Sequence, residues 1–201
     1  MFAQVRPFLK WLGKYFKAYG GWRAVLLSPL FQLATLITAL NYSVWLEAKW
    51  IPLAESIIPS LLGFSLGTYA ILFSLINVRL KGALQGSKNL SGVTRLEEVN
   101  ATFFHFIFVQ VCALICAFLF SGSWAFDFFQ AISPYYPQAQ TMFLYVRAAG
   151  SFLGYLLLIY SFLLIVGASM VVYRLALIRD PADGPAASSN ENNPADRRQG
   201  R

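Results

Sequence analysis

The sequence predicts an all-α integral membrane protein, built as a four-helix transmembrane bundle with an interfacial amphipathic helix at its N-terminus. Three observations predict this class. Hydrophobic residues make up 57% of the chain and charged residues only 12%, which is about half the charged share of a soluble domain. Four apolar stretches are long enough to cross a bilayer, which takes about 20 residues of helix. Basic residues cluster around these stretches on one predicted side of the membrane.

Residues 1–20 are expected to form a helix that lies on the membrane surface. Basic residues recur at helical spacing on one face, and aromatic residues such as Trp11 and Tyr15 occupy the other. This division is typical of helices at the headgroup boundary. The candidates for contact with lipid headgroups are Arg6, Lys10, Lys14 and Lys17. Two interpretations stay open: a sensor or anchor for anionic lipid, and an ordinary lead-in segment that sets the orientation of the chain.

Residues 21–179 are expected to form the transmembrane domain. Its spans are predicted at about 24–46, 56–80, 102–121 and 148–173. The segment between the last two spans is rich in aromatic residues and broken by Pro134 and Pro137, and it is expected to rest at the membrane interface. Residues 180–201 are small, polar and proline-rich. Because such a segment cannot bury a core, it is predicted to be a disordered cytoplasmic tail.

The distribution of lysine and arginine predicts the orientation of the chain. Most basic residues lie in the N-terminal flank, in the loop between the second and third spans, and in the C-terminal flank. The other two loops carry only Lys49 and Arg147. Both termini are therefore expected on the cytoplasmic side of a cell inner membrane, which requires an even number of spans.

Small residues form a stripe along the second span. They recur at steps of three and four, which puts them on one side of a helix. In lipid, helices associate through close backbone approach, and small residues permit it. The members of the stripe are Ser60, Gly63, Gly67, Ala70 and Ser74, and the fourth span repeats the spacing with Gly150, Gly154 and Ser161. Both faces are predicted to pack against other helices.

A few polar residues lie within or beside the apolar spans. They are Gln32, Asn77, His105 and Gln110. Such residues can line a hydrated path in a bundle or oligomer, or they can be hydrogen-bonding contacts between helices. His105 is the only histidine of the chain and lies near the cytoplasmic end of the third span, within reach of water or Glu98. Hydrogen bonding is the favoured role for His105, and proton or ion transfer is the alternative.

No catalytic site, metal or cofactor is predicted. The spans carry no acidic residue well inside them, and the chain has no paired-carboxylate site, phosphate-binding glycine loop or zinc-ligand spacing. Cys112 and Cys116 lie one turn apart and are expected to pack as small apolar side chains. The positions of the basic residues beside membrane spans explain them without a nucleic-acid partner.

The expected function is therefore a non-enzymatic membrane scaffold, or a subunit of a membrane-associated complex such as an envelope, secretion or defence assembly. A homo-oligomeric pore or membrane-disrupting effector is the alternative, and a small-molecule carrier or membrane enzyme is a lesser one. The expected partners are the lipid bilayer and either further copies of the chain or a second membrane or cytoplasmic protein.

Overall fold

The computed structural model describes residues 5–76, 78–89 and 92–176, and within these ranges every regular element is a helix. In chain order the helices are α1 (Val5–Tyr19), α2 (Gly21–Leu26), α3 (Pro29–Leu40), α4 (Tyr42–Leu46), α5 (Trp50–Leu75), α6 (Val78–Gly86), α7 (Arg95–Ser121), α8 (Trp124–Ile132) and α9 (Ala139–Ala176). The predicted all-α class is confirmed for this part of the chain. The predicted tail, 180–201, and Asn77 lie outside the described residues.

Three helices, α5, α7 and α9, are long and apolar enough to cross a membrane. The apolar helix α3 has only 12 residues, about 18 Å at 1.5 Å per residue. The hydrocarbon core of a bilayer is about 30 Å thick. The part of the chain that the structure describes therefore has three candidate membrane-spanning helices where the sequence predicts four.

The predicted first span, 24–46, is not one helix but is divided among α2, α3 and α4. Ser28 has an extended conformation with ψ of 128°, because the ring of Pro29 disfavours a helical conformation at the residue before it. Pro29 then occupies the first turn of α3, where proline fits well. Asn41 ends α3 with ψ of 40°, and its side-chain amide donates to the Ile37 carbonyl at 2.8 Å.

Helices α5, α7 and α9 overlap the other three predicted spans but have different ends, and α5 stops at Leu75 instead of reaching 80, because Ile76 is extended with ψ of 107°. Helix α5 begins at Trp50, within the stretch predicted as a loop, and α9 begins at Ala139, within the aromatic segment. Helix α7 begins at Arg95 because Thr94 and Glu97 form a capping box, in which each side chain accepts from the other residue's backbone N–H.

Helices α7 and α9 pack against each other at the centre, with α5 against α7 and α3 against α9. One core cluster joins Phe103 and Phe106 of α7 to Leu156 and Tyr160 of α9. A second cluster surrounds Trp50 at the start of α5. Helix α1 packs against α7. Each helix that carries a candidate site residue is therefore α7 or α9 itself, or packs directly against one of these two.

Candidate functional site

His105 is buried where α1, α7 and α9 meet. Its side chain is 4% exposed. Tyr15 Oη lies 2.6 Å from His105 Nδ1, and Tyr160 Oη lies 3.0 Å from His105 Nε2. The ring of Tyr19 stacks on the imidazole, with centroids 4.0 Å apart. Both ring nitrogens of His105 therefore have hydrogen-bond partners from other helices.

This cluster has the chemistry of neutral hydrogen-bonding groups. A neutral imidazole has one donor and one acceptor nitrogen, and a phenol hydroxyl can act as either. One of the two tyrosines therefore donates to His105 and the other accepts from it. Burial raises the pKa of Tyr15, which keeps its hydroxyl protonated. Glu98 is occupied elsewhere, since its carboxylate accepts from Asn89 Nδ2 at 2.5 Å and from Arg95 at 3.1 Å.

Gln110 of α7 faces Ser65 of α5, and both side chains are fully buried. Ser65 Oγ lies 3.1 Å from Gln110 Oε1 and 2.5 Å from the Leu61 carbonyl oxygen. Because Ser65 has a single hydroxyl proton, it can donate to only one of these acceptors at a time. Gln110 Nε2 has no hydrogen-bond partner among the described residues. The pair is a polar contact between two packed helices with one donor left unused.

Among the residues that the structure describes, those predicted to share a hydrated path do not meet on one face of a single copy. Gln32 is exposed on α3, whereas His105 and Gln110 are buried. His105 contacts α1 and α9, and Gln110 contacts α5. Asn77 is not among the described residues. Of the three that the structure describes, two therefore lie in separate helix contacts and Gln32 lies on the surface.

The small residues of α9 hold aromatic rings from the same chain. A Cβ atom added to Gly150 would overlap the ring of Phe120, and one added to Gly154 would overlap the indole of Trp50. Trp50 Nε1 also donates to Ser151 Oγ at 3.0 Å. Farther along α9, Ser161 is buried and donates to the Leu158 carbonyl at 2.8 Å. This face of α9 is filled by α5 and α7.

The small residues of α5 have the opposite environment. We call these residues the outer stripe, and all of them are exposed. They are Ser60, Gly63, Gly67, Ala70 and Ser74. A Cβ atom added to Gly63 or Gly67 would meet no atom within 4 Å. At 3.6 residues per turn, the stripe lies about 160° around the helix from the buried face that carries Ile58 and Ser65. It therefore points away from the rest of the described chain.

The basic face of α1 forms an open cleft of about 520 Å³, which is lined by Arg6, Pro7, Lys10, Trp11 and Lys14. Lys14 Nζ lies 4.8 Å from the centre of the Trp11 ring. Lys17 is exposed on the same helix but lies beside the cleft. Three of the four residues predicted to contact lipid headgroups thus share one surface feature.

The two cysteines of α7, Cys112 and Cys116, are free thiols and half-buried. Among the residues that the structure describes, no three His, Cys, Asp or Glu side chains come together in a way that could hold a metal ion.

The partners of His105 were missed by sequence reasoning. Tyr15 is 90 positions away from it and Tyr160 is 55 positions away. No local pattern signals such pairings, because they depend on which helices become neighbours. Comparisons with protein-family models, with curated proteins and with solved structures gave no match to this chain.

Proposed function

We propose that the protein is a non-enzymatic scaffold or subunit of a membrane complex, and that the outer stripe of α5 docks a transmembrane helix of a partner. The observation that carries this proposal is the open space at Gly63 and Gly67 on a face that the described part of the chain leaves uncovered. Small residues let a second helix approach closely, and packing contacts drive association in lipid.

The residues beside the outer stripe favour such docking. Phe64 and Ile71 are exposed on one flank of the stripe, and Leu66 is exposed on the other. The stripe is therefore a shallow groove between two ridges of bulky side chains. Ridges and grooves of this kind are the features through which helices pack together.

In this proposal the chain crosses the membrane four times, with α3 and α4 together as the additional crossing. Leu30 of α3 lies against Gly167 of α9, and Trp45 of α4 packs edge-on against Phe152. These two contacts are about 22 Å apart along α9, which is most of the hydrocarbon thickness of about 30 Å. An even number of crossings puts both termini on one side, and the basic flanks favour the cytoplasmic side of an inner membrane.

Helix α1 is proposed to lie at the cytoplasmic headgroup boundary. It meets α7 at His105, about 15 Å along the axis from the start of that helix at Arg95. Tyr15 and Tyr19 turn toward the protein, which leaves the basic face of α1 outward. An amphipathic helix in this position is a common membrane-surface anchor.

A pore has less support than a scaffold, because His105 and Gln110 contact helices of the same copy and do not share an open surface. No chemical step is proposed at His105, since two tyrosine hydroxyls already occupy its ring nitrogens.

The test is the mass of the complex, measured by native mass spectrometry after gentle extraction of the full-length protein from its membrane. The wild type is expected in a complex with a partner polypeptide or with further copies. Gly67→Leu should abolish that complex and leave the single chain folded, because nothing in the described chain lies near Gly67. Ala149→Leu is the matched control, a small-to-large change at an exposed position of α9. A complex of unchanged mass in Gly67→Leu would refute docking at the outer stripe.

A further inference from the structure

We propose that the cleft on α1 is a binding site for the phosphate group of an anionic phospholipid, with Arg6, Lys10 and Lys14 as its cationic groups and Trp11 as its wall. This inference rests on the proposed position of α1 at the headgroup boundary. It adds a ligand class and a defined site to that position.

The positive charges of the cleft are close together and form no close ion pair with the residues that the structure describes. Arg6, Lys10 and Lys14 follow one another at steps of four, so neighbouring side chains start about 6 Å apart on one side of the helix. Helix α1 contains no acidic residue, and neither ion pair within the described ranges includes any of the three cations. Glu97 is the acidic residue within electrostatic range of Lys14, and its carboxylate accepts hydrogen bonds from Thr94 and makes no ion pair with Lys14.

Trp11 gives the cleft the apolar wall that a lipid site needs. Its side chain is 68% exposed, although tryptophan side chains are usually largely buried. In membrane proteins the preferred position of tryptophan is the headgroup level. The Lys14 ammonium lies over the indole, an arrangement in which the ring attracts the cation. The cleft has a volume of about 520 Å³ and is open to the outside.

The opposite face of α1 holds the cleft in a fixed position. Tyr15 and Tyr19 contact His105 from one side, so the helix cannot rotate without breaking a buried contact. The three cations are therefore presented together at one height on the bundle. In a free polybasic tail the charges would have no fixed arrangement, and the affinity for anionic lipid would depend only on their number.

The experiment uses the full-length protein, stripped of lipid in detergent and titrated with phosphatidylglycerol or phosphatidylcholine, with lipid adducts counted by native mass spectrometry. We expect the wild type to prefer phosphatidylglycerol. Lys10→Gln combined with Lys14→Gln should lower the phosphatidylglycerol affinity about tenfold and leave the phosphatidylcholine affinity unchanged. The matched control, Arg23→Gln combined with Lys81→Gln, removes the same charge at exposed positions outside the cleft and should change the affinity by less than about twofold.

Three results would overturn the proposal. Equal losses in the two double variants would mean that only overall charge matters. Displacement of phosphatidylglycerol by millimolar inorganic phosphate would identify a free anion and not a lipid as the ligand. Equal affinity of the wild type for both lipids would show that the cleft is not a site for anionic lipid. None of these results affects the Gly67→Leu experiment, so a failure of the lipid site and a failure of helix docking can be told apart.

Discussion

Tyr15 Oη lies 2.6 Å from His105 Nδ1, and this contact joins the first helix of the chain to the centre of the bundle. Through Tyr160 on the other ring nitrogen, the same imidazole also joins α9. The aromatic face of α1, which by composition alone suits lipid, is thus used in part to contact protein.

Removal of the Tyr15 hydroxyl should weaken the packing of α1 against α7. Tyr15→Phe keeps the ring but leaves one nitrogen of a buried imidazole without a partner, which costs about 1–3 kcal/mol in the free energy of unfolding. Thermal unfolding in detergent measures the loss. Tyr135→Phe is the control, since Tyr135 is 80% exposed and its hydroxyl should contribute less than about 0.5 kcal/mol. Equal stability of the two variants would mean that the hydroxyl does not hold α1.

The same substitution should destabilise the chain at Gly154 and have little effect at Gly63. Gly154→Ala forces a methyl group into the Trp50 indole, and overpacking of this kind costs about 1–3 kcal/mol. Gly63→Ala adds its methyl group to open space and should change the stability of the single chain by less than about 0.5 kcal/mol. Thermal unfolding of both variants in one detergent provides the comparison. A larger loss in Gly63→Ala than in Gly154→Ala would contradict the packing described for α5 and α9.

The unused donor of Gln110 predicts that leucine is tolerated at this position. Gln110→Leu removes a buried polar group whose amide nitrogen has no partner among the described residues, so the change should be neutral within about 1 kcal/mol. Gln110→Ala should instead cost about 2 kcal/mol or more, because it leaves a cavity between α7 and α5. Guanidinium or thermal unfolding in detergent separates the two. A severe loss in the leucine variant would indicate that the amide is essential to the contact.

The proposed topology predicts where reporters become visible. A reporter fused after Arg201 and one fused before Met1 should both be cytoplasmic, and one inserted between Tyr136 and Pro137 should lie outside. Paired fusions to alkaline phosphatase and to a fluorescent protein make the measurement, since each is active on only one side of the membrane. Termini on opposite sides would mean three crossings, and α3 with α4 would then remain on one side of the bilayer.

The sequence was sufficient to predict the helical class and the three long apolar helices, because mean hydropathy and length carry that information directly. It was insufficient at the first span, where Pro29 interrupts the stretch predicted as one helix. The residue before a proline is biased away from helical conformation, so Ser28 carried a usable signal for the break. The turn at Asn41 had a weaker signal, since asparagine near a helix end has several roles.

The candidate sites show a different limit. Gly63 with Gly67 and Gly150 with Gly154 have the same spacing, yet one pair is open and the other holds two aromatic rings. Spacing places residues on a face but does not say which neighbour covers that face. The partner residues Trp50 and Phe120 come from other helices, so only the tertiary arrangement distinguishes the two pairs.

The length of α9 has a consequence for the bilayer itself. Its 38 residues extend about 57 Å, well beyond the hydrocarbon core. Arg147 and Arg174, both exposed, lie about 40 Å apart along the axis, close to the thickness of about 40–45 Å between the outer limits of the two headgroup layers. In the proposed topology each arginine lies in one headgroup layer, and α9 would then match a bilayer of one particular thickness. In a thinner bilayer the helix must tilt or thicken the lipid around it, and α3, α5 and α7 must follow because they pack directly on it.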